Sequence, residues 1–152
     1  MADGFLNMAA IISDFEEYII RVGVNAFYAK KKPYEKTGQF LLTAWLYQFV
    51  EGGKGELHYE MPTGLGRMDI LLTYRGRKYI IETKINRSNI NTTIDRAVEQ
   101  ICGKYLLTEK AVEGYVVVFD VKTKVGEVRT PQKRQVEGKE RLIFEVGIGK
   151  SQ

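Results

Sequence analysis

Apolar residues recur at positions 15, 18, 19, 22, 26 and 27, the spacing of one helix face. Ser13 and Glu16 stand at capping-box spacing, so an amphipathic helix is expected over about 13–31, ending in the basic run at 30–32. Pro33 suits the first turn of a second helix, and "YEKTGQFLLTAWLYQFVEGG" is apolar nearly all round before Gly52 and Gly53 stop it. That helix is expected to be central and buried. "ELHYEMPT" reads as a short strand, and "RMDILLTY", a tight "RGR" turn and "KYIIETKI" read as a hairpin. Beyond the polar "NRSNIN", Thr92 or Thr93 is expected to cap a third helix with apolar positions 94, 97, 98, 101, 105 and 106. "GYVVVFD" is a continuous apolar, β-branched run, which predicts a strand covered on both faces in the middle of the sheet. Lys122 to Lys139 is polar and aperiodic, with Gly126, Pro131 and Gly138, and predicts a mobile connection to a last strand, "RLIFEVGI". The order α-α-β-β-β-α-β-loop-β predicts an α/β fold, a mixed central sheet with helices packed on it and a core over about 33–148.

Composition narrows the picture in three ways. At 152 residues the chain is expected to form one domain. Its apolar runs stop short of the roughly 20 residues that cross a bilayer, and the amino terminus lacks a signal pattern. A cytoplasmic protein with no membrane partner is expected. Cys102 and His58 are the sole cysteine and histidine, too few for a zinc site, so any metal would be held by oxygen. The net charge of +4 suits a polyanionic partner without requiring one.

The informative charges are Asp69, Glu82 and Lys84, each set inside an apolar strand. Side chains alternate along a strand, so Glu82 and Lys84 share a face. Asp69 lies near the start of one hairpin strand and Glu82 and Lys84 near the end of the other, and antiparallel pairing brings those ends together. Two carboxylates at bonding distance repel unless a cation bridges them. Mg2+ (or Mn2+) is the expected cofactor, since a hard divalent ion prefers carboxylate oxygens and shares them with substrate phosphates. The chemistry this points to is phosphodiester hydrolysis, with Lys84 orienting the water or offsetting charge on phosphorus. The same letters also read as a solvated surface pair beside a strand end. Their apolar neighbours favour the first reading, because a buried charge is usually paired or metal-bound.

"GLGRMDILL", a turn and "YIIETK" resemble the PD-(D/E)xK nuclease superfamily, Asp69 matching its aspartate and Glu82, Thr83 and Lys84 its (D/E)-x-K, with Met68 in place of the proline. "AVEQICGKYL" is similar to the glutamine-bearing helix of one branch, which would set Gln100 and Tyr105 toward the site. "YEKTGQFLLTAWLYQFV" resembles that fold's first helix, where Glu35 would supply a further metal ligand. From about Phe15 to Ile148 the chain looks like the C-terminal nuclease-like domain of bacterial and archaeal proteins that carry an AAA-type ATPase. No G-x-x-x-x-G-K-[ST] phosphate loop occurs here, so a stand-alone relative or a domain of a longer protein is expected. The resemblance implies a three-layer α/β/α restriction-endonuclease-like core, a magnesium-dependent nuclease site and an ATPase domain or partner.

Other residues carry lesser expectations. Arg67 is a candidate for phosphate contact or for bracing the aspartate. Gln100 is a candidate to hydrogen-bond Lys84 or a catalytic water, with a satisfied core amide as the alternative. "KTKVGEVRTPQKR", with Lys133 and Arg134, is a candidate basic loop for clasping a duplex. His58, Cys102 and Trp45 read as structural. Three functions stand open: a nuclease acting on nucleic acid, DNA first; a non-catalytic nucleic-acid or protein-binding module; and an interaction domain that regulates an ATPase or forms a homodimer through the helix at 15–27.

Overall fold

The computed structural model describes residues 6–29, 33–63, 66–100, 113–127, 130–136 and 139–149. Its helices are α1 (Met8–Tyr18), α2 (Val24–Phe27), α3 (Glu35–Tyr47) and α4 (Ile90–Gln100). Its strands are β1 (Gly55–Thr63), β2 (Gly66–Tyr74), β3 (Arg77–Asn86), β4 (Glu113–Lys124), β5 (Gln132–Val136) and β6 (Lys139–Gly149). They form one sheet in the order β1-β2-β3-β4-β6-β5. The pairs β1/β2, β2/β3 and β5/β6 are antiparallel, whereas β3/β4 and β4/β6 are parallel. The fold is therefore α/β with a mixed sheet, and β4 lies inside it as its uninterrupted apolar run requires.

Alternation along the strands divides the core between the two faces. Phe15, Leu42, Leu46, Ile81, Val117 and Phe119 belong to the cluster under α1 and α3. Leu71, Ile80, Val116 and Val118 pack with Ile94 and Ala97 of α4 on the opposite face. Helices thus cover both sides of the sheet.

Four expectations change. The first helix starts at Met8, not Ser13, because Met8, Ile11 and Ile12 extend the buried stripe backwards. Asn7 caps it, its Oδ1 accepting the Ala10 N–H at 3.2 Å. A π-helical turn at Ile19–Gly23 then precedes α2. The second helix is buried on one side only, with Phe40 68% and Tyr47 57% exposed; a helix lying on a sheet has an outer face whatever its composition. The third helix begins at Ile90, and Asn89 caps it through the Thr92 N–H. The stretch expected to be a mobile connection carries the end of β4 and all of β5. "QKRQV" has no apolar alternation because an edge strand faces water along one side, where lysine and arginine discourage further pairing.

α3 lies close to the sheet for a local reason. A Cβ on Gly38 would fall 2.2 Å from the Phe119 ring, so glycine lets the helix settle over β4. Its first residue, Glu35, is thereby lowered toward β3.

Candidate functional site

The β2/β3 ladder runs from Tyr74↔Arg77 to Ile70↔Ile81 and stops. Beyond it β2 stays with β1, through Met61↔Met68 and Thr63↔Gly66, while β3 continues along β4 to Asn86↔Asp120. The strands part at Asp69 and Glu82, leaving the β2-facing edge of β3 open past Ile81. Backbone groups on one strand edge recur at every second residue, so Thr83 and Ile85 present their N–H groups to this gap.

Carboxylates occupy the gap. Asp69 Oδ2 accepts the Thr83 N–H at 2.8 Å and the Thr83 hydroxyl at 2.9 Å. Gln39, buried on α3, donates from Nε2 to the Asp69 carbonyl at 3.5 Å. The Ile85 N–H lies against the Glu35 carboxylate and favours its charged form. Burial works the other way on Glu35, and with the Asp69 charge it raises the pKa against the pull of Lys84, Ile85 and Arg87.

Glu82 and Lys84 lie on the α4 side of β3. Glu82 is 1% exposed. Its Oε1 stands 3.9 Å from Lys84 Nζ, and its Oε2 has no hydrogen-bond partner among the described residues. Burial, then the hydrogen bond and negative charge of Asp69, push the Glu82 pKa up to about 10, with Glu35 adding and Lys84 subtracting. In the metal-free protein at neutral pH, Glu82 therefore holds a proton.

Asp69, Glu82, Lys84 and Glu35 are thus brought within electrostatic reach of one another. Among the described residues, no three His, Cys, Asp or Glu side chains are grouped closely enough to hold a metal ion by themselves. The donor set nevertheless fits a hard cation. It offers two adjacent carboxylates, one with an unpartnered buried oxygen, and magnesium typically takes one or two carboxylates and completes its shell with water and phosphate.

Arg67 lies on β2 opposite Pro62 and Gln100 ends α4; both side chains, and Tyr105 altogether, lie outside the described residues. Lys133 and Arg134 are on β5 at the far edge of the sheet, with β4 and β6 between them and β3. Arg134 forms an ion pair with Asp95 of α4.

Two further contributions depend on tertiary contact. Gln39 reads in sequence as one polar residue on an apolar helix, and its position against Asp69 comes only from the packing of α3. At the end of β3, the buried Asn86 donates from Nδ2 to Asp120 Oδ1 at 2.9 Å. Asp120 also accepts the Lys122 N–H at 2.9 Å and the Thr123 hydroxyl at 3.0 Å. The Thr93 hydroxyl of α4 lies 3.1 Å from Asn86 Oδ1. The network joins β3, β4 and α4 two residues beyond Lys84. The signal in sequence was an aspartate closing "GYVVVFD", with no partner identifiable for it.

No protein-family model matches the chain, and no curated protein is significantly similar to it.

Proposed function

We propose that the protein is a divalent-metal-dependent nuclease that hydrolyses phosphodiester bonds, with DNA as the first substrate to test. The observation that carries the reading is the buried Glu82 carboxyl beside Asp69, where β2 and β3 part, with its Oε2 lacking a hydrogen-bond partner among the described residues. A carboxyl oxygen kept dry without a partner is costly, and that cost is recovered if the group serves a cation. Asp69 and Glu82 would hold Mg2+ or Mn2+, while Glu35 from α3 adds negative charge nearby and is not grouped with them closely enough to be a third direct ligand. The metal, when bound, supplies Lewis acidity toward phosphate and an acidified water. Lys84 contributes a compact positive charge at the same place, suited to orienting that water or to offsetting charge gathering on phosphorus. The Thr83 N–H and hydroxyl fix the Asp69 carboxylate, and Gln39 fixes its backbone. The resemblance to the PD-(D/E)xK superfamily supports the same assignment.

A second reading, a non-catalytic binding domain that regulates an AAA-type ATPase, draws on one observation: the carboxylates of Asp69 and Glu35 both satisfy open-edge N–H groups of β3. On that reading they are structural caps. Calorimetric titration with Mg2+ and Mn2+ separates the two. The nuclease reading expects saturable binding that Glu82→Gln removes; titration without heat in the native protein would favour the caps.

A further inference from the structure

β1 stands at one end of the sheet, and among the described residues nothing pairs with its outer side. It is nine residues long, whereas the opposite edge, β5, has five and carries Lys133 and Arg134. A long edge without a run of basic residues invites pairing. The helix beside it is equally uncovered. Lys36 of α3 forms an ion pair with Glu60 of β1, so the α3 stripe that Lys36 begins flanks this edge. At helical spacing along the stripe come Phe40, Ala44 and Tyr47, all exposed, and β1 adds Tyr59, 55% exposed. Phosphate is disfavoured as a neighbour here, since Glu56 and Glu60 lie on β1 itself.

The edge is complementary to itself. Glu56 and His58 are exposed, share one face of β1 and meet within the chain, Nε2 to Oε2 at 3.2 Å, a contact that a second copy would exchange for the same contact across the axis. A twofold axis perpendicular to the sheet keeps like faces together, so it centres on a residue. With the axis at Leu57, Glu56 lies opposite His58 of the second copy, and Gly55 lies opposite Tyr59. Moving the axis to Glu56 or His58 sets glutamate against glutamate. Moving it to Tyr59 draws Glu60 into the ladder, and its φ of 52° breaks the extended chain. The regular stretch Gly55–Tyr59 is itself centred on Leu57.

We propose that two copies of this chain associate through antiparallel pairing of β1 with β1 across a twofold axis at Leu57, joining their sheets and bringing the Phe40 and Tyr47 stripes together. Backbone hydrogen bonds supply the pairing, the aromatic stripes supply buried area, and Glu56 with His58 sets the register. This assignment does not rest on the nuclease reading.

The test is sedimentation equilibrium of the full chain at micromolar concentrations. The native protein is expected to be a dimer. His58→Glu opposes like charges twice across the axis and is expected to weaken association by about tenfold or more; Phe40→Glu is expected to do the same. Glu56→Lys combined with His58→Glu restores complementarity and should restore the dimer. Circular dichroism melting confirms that each variant folds, since the altered side chains are exposed. A native monomer throughout, a dimer undiminished by His58→Glu, or no recovery in the double variant would overturn the proposal.

Discussion

Asp69 Oδ2 takes the Thr83 N–H at 2.8 Å, immediately past the last rung that joins β2 to β3. One carboxylate thus ends a ladder and faces the buried Glu82 carboxyl. Removing it and neutralising it should differ. Asp69→Ala strands the N–H and hydroxyl of Thr83, and a loss of about 1–3 kcal/mol in urea denaturation is expected. Asp69→Asn keeps an oxygen acceptor and should cost less, while losing divalent-ion binding as completely.

The pH dependence of stability follows from Glu82. In the folded, metal-free protein its pKa is about 10, against an ordinary value of 4.5. Between those limits the native state binds more protons than the unfolded chain, so stability falls as pH rises. The contribution is fully present below about pH 4.5 and is lost as pH climbs through about 10. Glu82→Gln should flatten the slope of melting temperature against pH in chelator. Metal binding at neutral pH should also release a proton from the native protein, measurable by calorimetry in two buffers of different ionisation enthalpy.

Gly38→Ala probes how closely α3 must approach. The added methyl meets the Phe119 ring, and overpacking of this kind costs about 1–3 kcal/mol. Because Glu35 and Gln39 travel with the helix, ion affinity is expected to fall along with stability.

The Asn86–Asp120 pair gives a double-mutant cycle. Asn86→Asp sets two buried carboxylates together, with an expected loss of about 3–5 kcal/mol. Adding Asp120→Asn replaces one carboxylate by an amide and should recover much of it, a coupling that independent sites do not show. Chemical denaturation of the four proteins measures it.

What the sequence disclosed depended on the range of the interaction. Alternation in "RMDILLTY" and "KYIIETKI" reports faces directly, and an antiparallel turn then brings Asp69 to Glu82 and Lys84. β4 was legible because seven consecutive residues from Gly114 to Asp120 are buried, and no solvent-facing strand has that composition. β5 was not legible, since a polar edge strand is held mainly by its backbone ladder with β6. The start of α1 was missed because Ser13 and Glu16 imitate a cap that Asn7 supplies. The outer face of α3 is apolar in sequence as well as exposed, so composition alone placed it inside. Gln39 and Asn86 owe their positions to α3 and to β4 with α4, and no spacing within the chain announces such contacts.

The most direct test of the central claim is cleavage of labelled single- and double-stranded DNA and RNA with Mg2+ or Mn2+, comparing the native protein with Glu82→Ala and Lys84→Ala. Metal-dependent cutting by the native protein is expected, lost with Glu82→Ala and reduced by about a hundredfold or more with Lys84→Ala, the scale on which a transition-state charge partner contributes. Absence of cutting on every substrate, or cutting that persists at the native rate in both variants, would contradict the assignment of this site.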